Sequence, residues 1–335
     1  MTDTEIELQA GDWVEVKRPA EIAQSLDSAG TLDGLPFMPE MLEYCGRRAR
    51  VLRRAEKSCV EIPGGVYRIR EFINNDVFLL DGLRCSGNDH DGCQRMCMFF
   101  WKTAWLRKAT GELSDVAPTD RETAELKSKL KTKVGPERYF CQSTELARST
   151  VVTPMGPAKI LSKCIRDVRA RAVSPSNMFW LIVVPLYRKV RDRLIGRPLL
   201  KGDLKQTPVG NLGLQAGEIV EIKSLEEMRQ TLDTRGRNRG LVCDIELGKF
   251  CGTRYRVLSR LDQMISESDG RMRKLQGTVI LDGNLCMCAR VLGGCPRCEY
   301  TYWRELWLKR VNSEPINGSQ TMSEATQAAC LGSKN

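Results

Sequence analysis

The chain has 335 residues, 41% hydrophobic and 28% charged, which is enough apolar material for cores in two or three units and excludes a disordered or fibrous protein. The acidic opening MTDTEIELQ lacks a leader's apolar run, and the longest strongly apolar stretch, residues 178–187, contains Pro185 and is half the roughly twenty residues of a membrane span. These features predict a soluble, cytoplasmic protein, in which the fourteen cysteines bind metal or are buried rather than forming disulfides.

In chain order, residues 8–17 place a glycine turn before the alternation Trp13-Val14-Glu15-Val16-Lys17, a half-buried strand. Leu214 begins the same pattern again at an offset of 206 residues. The Gly-Asp-x-Val-x-Val opening resembles the first strand of small β-barrels of the KOW and Src-homology kind. A helix should follow in each copy, because Pro19, Ile22 and Leu26 align with Leu225, Met228 and Leu232, and Ser224-x-x-Glu227 reads as a capping box. Gly30 and Gly236 are expected to stop these helices. The register continues through Tyr44-Cys45-Gly46 against Phe250-Cys251-Gly252, then Arg50-Val51-Leu52 against Arg256-Val257-Leu258. It resumes at Leu80-Asp81-Gly82 and Leu281-Asp282-Gly283. The chain is an internal duplication.

Each copy then carries a cysteine cluster, CSGNDHDGCQRMC over residues 85–97 and CMCARVLGGCPRC over residues 286–298. Trp101 and Trp105 follow the first, Trp303 and Trp307 the second. In extended geometry Trp101, Thr103 and Trp105 share a face. The tryptophans read as core beneath the cluster, with a base-stacking platform as the alternative.

Between the copies, residues 109–136 read as a charged linker with one exposed helix near residues 120–131. From Pro157, apolar positions recur at helical spacing among Lys159, Lys163, Arg166 and Arg169. Ser174-Pro175 caps a second helix over residues 176–195, apolar at first and then bearing Arg188, Lys189, Arg191 and Arg193. Residues 141–215 hold thirteen Lys or Arg against four Asp or Glu. Such a bias suits an acidic protein or anionic surface, a peripheral membrane contact or a nucleic acid; an ordinary solvated face is the other reading. Residues 312–335 read as a polar, disordered tail.

Structural zinc takes four Cys or His ligands, and short spacings favour ligation. The first copy offers Cys45, Cys85, His90, Cys93 and Cys97; the second offers Cys251, Cys286, Cys288, Cys295 and Cys298. Pairing Cys45 with Cys251, Cys85 with Cys286, Cys93 with Cys295 and, with one residue of slippage, Cys97 with Cys298 leaves four cysteines in register. Five candidates per copy leave one spare, and buried small hydrophobes are the alternative reading. His90 is the only imidazole available as a base.

Leu35-Pro36-Phe37-Met38-Pro39-Glu40-Met41 before Tyr44-Cys45-Gly46, together with Gly236-Arg237-Asn238-Arg239-Gly240 and Tyr302-Trp303-Arg304-Glu305-Leu306-Trp307, resembles a bacterial family without an established activity. The likeness extends to about Val311. It implies an accessory role beside polysaccharide or other secondary-product biosynthesis, and a Cys-x4-His-x2-Cys knuckle that Cys85, His90 and Cys93 match. The second knuckle departs from that pattern, having no histidine, with Cys288 and Cys298 available instead.

The expected architecture is α+β: two homologous small barrel-like domains, residues 1–108 and 212–311, each stapled by a cysteine-rich metal knuckle and joined by a basic helical connector over residues 109–211. The expected function is a non-catalytic accessory or scaffolding protein binding two zinc ions, with no catalytic residue assigned. The alternatives are a metal-dependent enzyme with one open zinc site and His90 or Asp89 as acid or base, and a nucleic-acid-binding protein using the connector and barrels.

Overall fold

The computed structural model describes residues 7–62, 66–109, 118–152, 156–171, 173–196, 200–210, 212–286, 291 and 297–311. In the first copy β1 (Trp13–Val16) leads into α1 (Pro19–Ser25), the short hairpin β2 (Thr31–Leu32) and β3 (Leu35–Pro36), and a 3-10 turn over Pro39–Tyr44. Then come β4 (Arg48–Arg54), β5 (Lys57–Ile62), β6 (Val66–Phe72), β7 (Val77–Leu80), β8 (Trp101–Lys102) and β9 (Leu106–Lys108). β1 lies inside a five-stranded sheet of order β8-β7-β4-β1-β9, which is partly curled into a half-barrel.

The residues between the copies contribute α2 (Asp120–Lys129), α3 (Gln142–Ser149), β10 (Thr150–Val151), α4 (Pro157–Arg169) and α5 (Pro175–Ile195). The second copy comprises β11 (Ile219–Ile222), α6 (Leu225–Arg229), the hairpin β12 (Arg237–Asn238) and β13 (Leu241–Val242), and a 3-10 turn over Ile245–Phe250. It continues as β14 (Arg254–Arg260), β15 (Gln263–Ile265), β16 (Met272–Lys274), β17 (Thr278–Leu285), β18 (Tyr300–Arg304) and β19 (Leu308–Arg310). Its sheet, β18-β17-β14-β11-β19, has the same topology.

The duplication extends to backbone detail. Trp13 pairs with Arg50 as Ile219 does with Arg256, and the bulge between Val51 and Arg53 recurs between Val257 and Ser259. Asp33 and Arg239 both adopt positive φ, each followed by a glycine that does the same. Gly30 and Gly236 do not stop the helices. These end at Ser25 and Arg229, and the two glycines, at φ of 76° and 74°, turn the chain into the small hairpins. The Ser224 capping box forms as expected, Ser224 Oγ accepting from the Glu227 amide.

The tryptophans are core. Trp101, Trp105, Trp303 and Trp307 have no exposed surface, and Phe37 packs edge-on against Trp105 with centroids 5.2 Å apart. They do not share an extended face. Thr103–Trp105 forms a 3-10 turn that lets the Thr103 amide and hydroxyl both donate to the Asp76 carbonyl. Trp105 Nε1 donates to Ser25 Oγ, the last residue of α1, and Trp307 Nε1 to the equivalent Thr231 Oγ1, two residues past the end of α6.

The segment read as a linker is also packed. Arg18 bridges to Glu122 at 2.8 Å, and Leu126 of α2 is fully buried. The α3 helix was not expected. Its Gln142 side chain donates to the Pro36 and Phe100 carbonyls and accepts from the Phe100 amide, bonding α3 into the first copy.

The basic helices direct much of their charge inward. Lys163 is buried between Glu71 and Glu56, Arg166 pairs with Glu56, Arg188 reaches Glu246 at 2.6 Å, and Arg191 pairs with Asp192. Arg169, Lys189 and Arg193 are exposed, and the side chain of Lys159 lies outside the described residues. Truncating a core indole should leave a cavity that the surrounding strands cannot fill. Trp303→Ala is expected to lower the unfolding free energy by about 3–5 kcal/mol in urea titrations, and a loss below about 1 kcal/mol would refute its core role.

Candidate functional site

The first knuckle is a loop closed at its neck, where the Cys85 amide donates to the Cys97 carbonyl at 2.8 Å. Gly87, at φ of 74°, allows its turn. A Cβ there would stand 1.9 Å from the Cys93 carbonyl oxygen, so no other residue fits without moving the loop. Asp91 accepts from the Tyr139 hydroxyl at 2.5 Å and from Lys133 at 2.7 Å, which ties the loop to the segment before α3; the Lys133 bond leads in holding its carboxyl below the usual range.

His90 lies at the centre of this loop, 1% exposed. Its Nδ1 is 2.7 Å from Glu40 Oε1 and its Nε2 is 3.0 Å from the Phe140 carbonyl oxygen. A carboxylate and a carbonyl only accept, so both nitrogens donate and the ring is an imidazolium. Burial alone lowers its pKa, but the Glu40 bond and charge, with Phe140, raise it overall. In this arrangement the ring has no lone pair for a metal.

The Leu35–Met41 motif becomes intelligible here. Leu35 is buried, Phe37 packs on the tryptophans, Met38 and Met41 place sulfurs against Gln142, and Glu40 holds His90. The second copy lacks the histidine, and its equivalent carboxylate, Glu246, takes Arg188 of α5 instead.

Above the histidine is a cavity of about 30 Å³ lined by residues of the first knuckle, α3 and the second copy. Cys85, Cys93, Cys97 and Cys141 lie on its wall with Met38, Met96 and Met98. Burial is the main force raising the thiol pKa values, of Cys97 to about 12, of Cys141 to about 11, and of Cys85 higher still with help from Glu40. The four thiols are thus neighbours on one wall. Among the described residues no three Cys, His or carboxylate side chains converge as a ready-made ion site.

One wall of the cavity is a buried charge cluster. Arg95 and Arg297, one from each knuckle, both reach Glu267 Oε2, at 3.1 and 2.5 Å, and Glu299 Oε1, at 3.0 and 2.9 Å. Arg297 also donates to the Cys59 carbonyl and to Ser143 Oγ, while the second Glu267 oxygen accepts from the Glu61 amide. Burial disfavours both guanidinium charges, but the two glutamates hold their pKa values well above the ordinary one, and the arginines keep Glu267 ionised in turn.

Of the other sequence-derived candidates, the described Cys45, Cys251, Cys286 and Cys298 are not on the wall of this cavity. Cys45 is buried in the first core and Cys251 occupies the equivalent turn, partly exposed; in both the backbone amide closes a 3-10 turn. Cys286 is exposed, and Cys288 and Cys295 lie outside the described residues; Cys298 is buried and disulfide-bonded, which corrects the expectation that the cysteines form no disulfides. The pairing of Cys97 with Cys298 is corrected by the backbone. Met96 and Cys298 share positive φ, 55° and 49°, so Cys298 matches Met96 and Cys97 matches Glu299. Sequence reasoning missed Cys141, Glu40, Glu267 and the arginines. The recurrence of Arg95 and Arg297 two residues after Cys93 and Cys295 was a visible signal for the last.

Comparison of the chain with family models, with curated proteins and with solved structures found no match.

Two measurements test this geometry. Glu267→Gln leaves two buried guanidiniums short of a counter-charge and is expected to cost about 3–5 kcal/mol in denaturant titrations; a neutral result would refute the cluster's structural role. Because the His90 pKa is raised on folding, the ion pair's stabilisation is complete below the ordinary imidazole value of about 6.5 and is lost as pH rises through the raised value. The unfolding free energy should therefore fall over that interval, and His90→Gln should flatten this part of the profile.

Proposed function

We propose that the protein is a non-catalytic scaffold of two homologous small-barrel halves, clamped into one body at the inter-repeat cavity, and that one zinc ion closes on Cys85, Cys93, Cys97 and Cys141. The observation that carries this reading is that four thiols from the first knuckle and the N-terminus of α3 line one cavity. The donor set suits a soft or borderline ion, and about 30 Å³ admits one. Because the thiols line the wall without converging, ligation requires side-chain rotation, at a cost far below the roughly 10–16 kcal/mol that structural zinc contributes. The raised thiol pKa values describe neutral groups; the ion would deprotonate them, so binding releases protons.

The polar groups around the cavity support a clamp over an active site. His90, Arg95, Arg297 and Glu267 are each bound to partners that hold one segment of the chain to another. Nothing favours the nucleic-acid reading specifically.

Elemental analysis of the purified full chain is the test, with Cys141→Ser and Cys45→Ser as variants and circular dichroism as the folding control. Cys141→Ser should lose one zinc per chain while Cys45→Ser keeps it. A zinc-free wild type, or a Cys141→Ser variant that folds and retains all its zinc, would overturn the assignment.

A further inference from the structure

α5 has two opposed faces. Met178 and Pro185 are buried, and Arg188 on the same side reaches Glu246 of the second copy, so this face is committed to the protein. On the opposite side Phe179, Leu186, Tyr187, Val190 and Leu194 follow one another at helical steps, forming an apolar arc roughly 120° wide. All five are exposed, Tyr187 by 65% and Leu194 by 78%. A core helix has its apolar arc facing inward; this one faces solvent, over a helix about 30 Å long.

The charges beside this arc have one sign. Lys189 and Arg193 lie on one edge of it, and Arg169 and Arg171 are exposed at the end of the neighbouring helix. Among the described residues of α4 and α5 the acidic groups are Asp167 and Asp192, and each is paired with an arginine. Trp180, also 46% exposed, adds an amphipathic aromatic of the kind that settles at the headgroup level. No helix among the described residues is long and apolar enough to cross a membrane.

We propose that this face of α5 docks on an anionic lipid bilayer, lying in the interface with its apolar arc among the upper acyl chains and its cations on the headgroups. A membrane surface provides both things the arc lacks, an apolar phase and negative charge, along the full length of one helix. The inward face stays on the protein throughout, so docking requires no unfolding of the helix.

The full chain is tested by co-sedimentation with phosphatidylcholine vesicles with and without phosphatidylglycerol, with light scattering for self-association. The wild type should bind the anionic vesicles, and salt should weaken that binding. Tyr187→Asp with Leu194→Asp should reduce it about tenfold or more, and Lys189→Glu with Arg193→Glu should do so on anionic vesicles, with helical content unchanged in both. Absence of vesicle binding at low salt, or undiminished binding by the folded aspartate variant, would overturn the proposal. So would a dimer that the aspartate pair dissolves in a protein that ignores vesicles, since the arc would then face a second copy.

Discussion

Two arginines buried against the same pair of carboxylates are the constraint on which the arrangement of the two copies depends. Removing such charges from water costs several kcal/mol per ion, and only close pairing with full hydrogen bonding recovers it. Arg95 comes from the first knuckle, whereas Arg297, Glu267 and Glu299 come from the second copy. Arg95 finds both of its carboxylates in the other copy, so separating the copies would strand its charge, whereas Arg297 pairs with the same carboxylates within its own copy. The third party is α3, whose Ser143 accepts from Arg297. A hydrophobic interface tolerates sliding; this one accepts a single register.

The same constraint explains why the duplicated halves diverged where they did. Their sheets superimpose in pairing, bulge and turn, because each must bury the same indoles beneath the same strands. At the cavity they meet and can no longer be equivalent. Glu40 holds a histidine of its own knuckle while Glu246 holds an arginine of α5. Where the first copy has Cys97, the second has Glu299, and the carboxylate supplies the charge that Arg95 and Arg297 both need. The fourth cysteine of the repeat is absent from the second copy because its position is occupied by a member of the clamp.

Much of the sheet was legible in the sequence, because strand alternation and an offset kept over tens of residues are local signals. Three of the connector's helices, α2, α4 and α5, were legible for the same reason, with Ser174 capping α5 through the Asn177 amide as its position suggested; α3 was not. The composition of the site was not. Cys141 has no neighbouring cysteine to mark it, and it stands beside the knuckle where Gln142 bonds α3 to Phe100, just before β8. His90 stands at a ligand's spacing, yet Glu40, fifty residues earlier, and the Phe140 carbonyl, fifty later, take both nitrogens. Spacing reports which residues are near in the chain, and here the decisive partners are remote.

Net charge is instructive in the same way. An excess of cations between the copies resembles a binding surface, but Lys163, Arg166 and Arg188 are counter-ions for Glu56, Glu71 and Glu246, carboxylates that the sheets and turns present to the connector. Those cations hold the helices to both copies. On α4 and α5 the exposed Arg169, Arg171, Lys189 and Arg193 are left for an external partner, and α5 also carries an apolar arc that stays exposed. A helix needing only to bridge two domains would carry polar residues on that arc, since exposing five large apolar side chains brings no folding energy. Their placement opposite the anchored face is therefore a feature of α5 that the packing of this chain does not require.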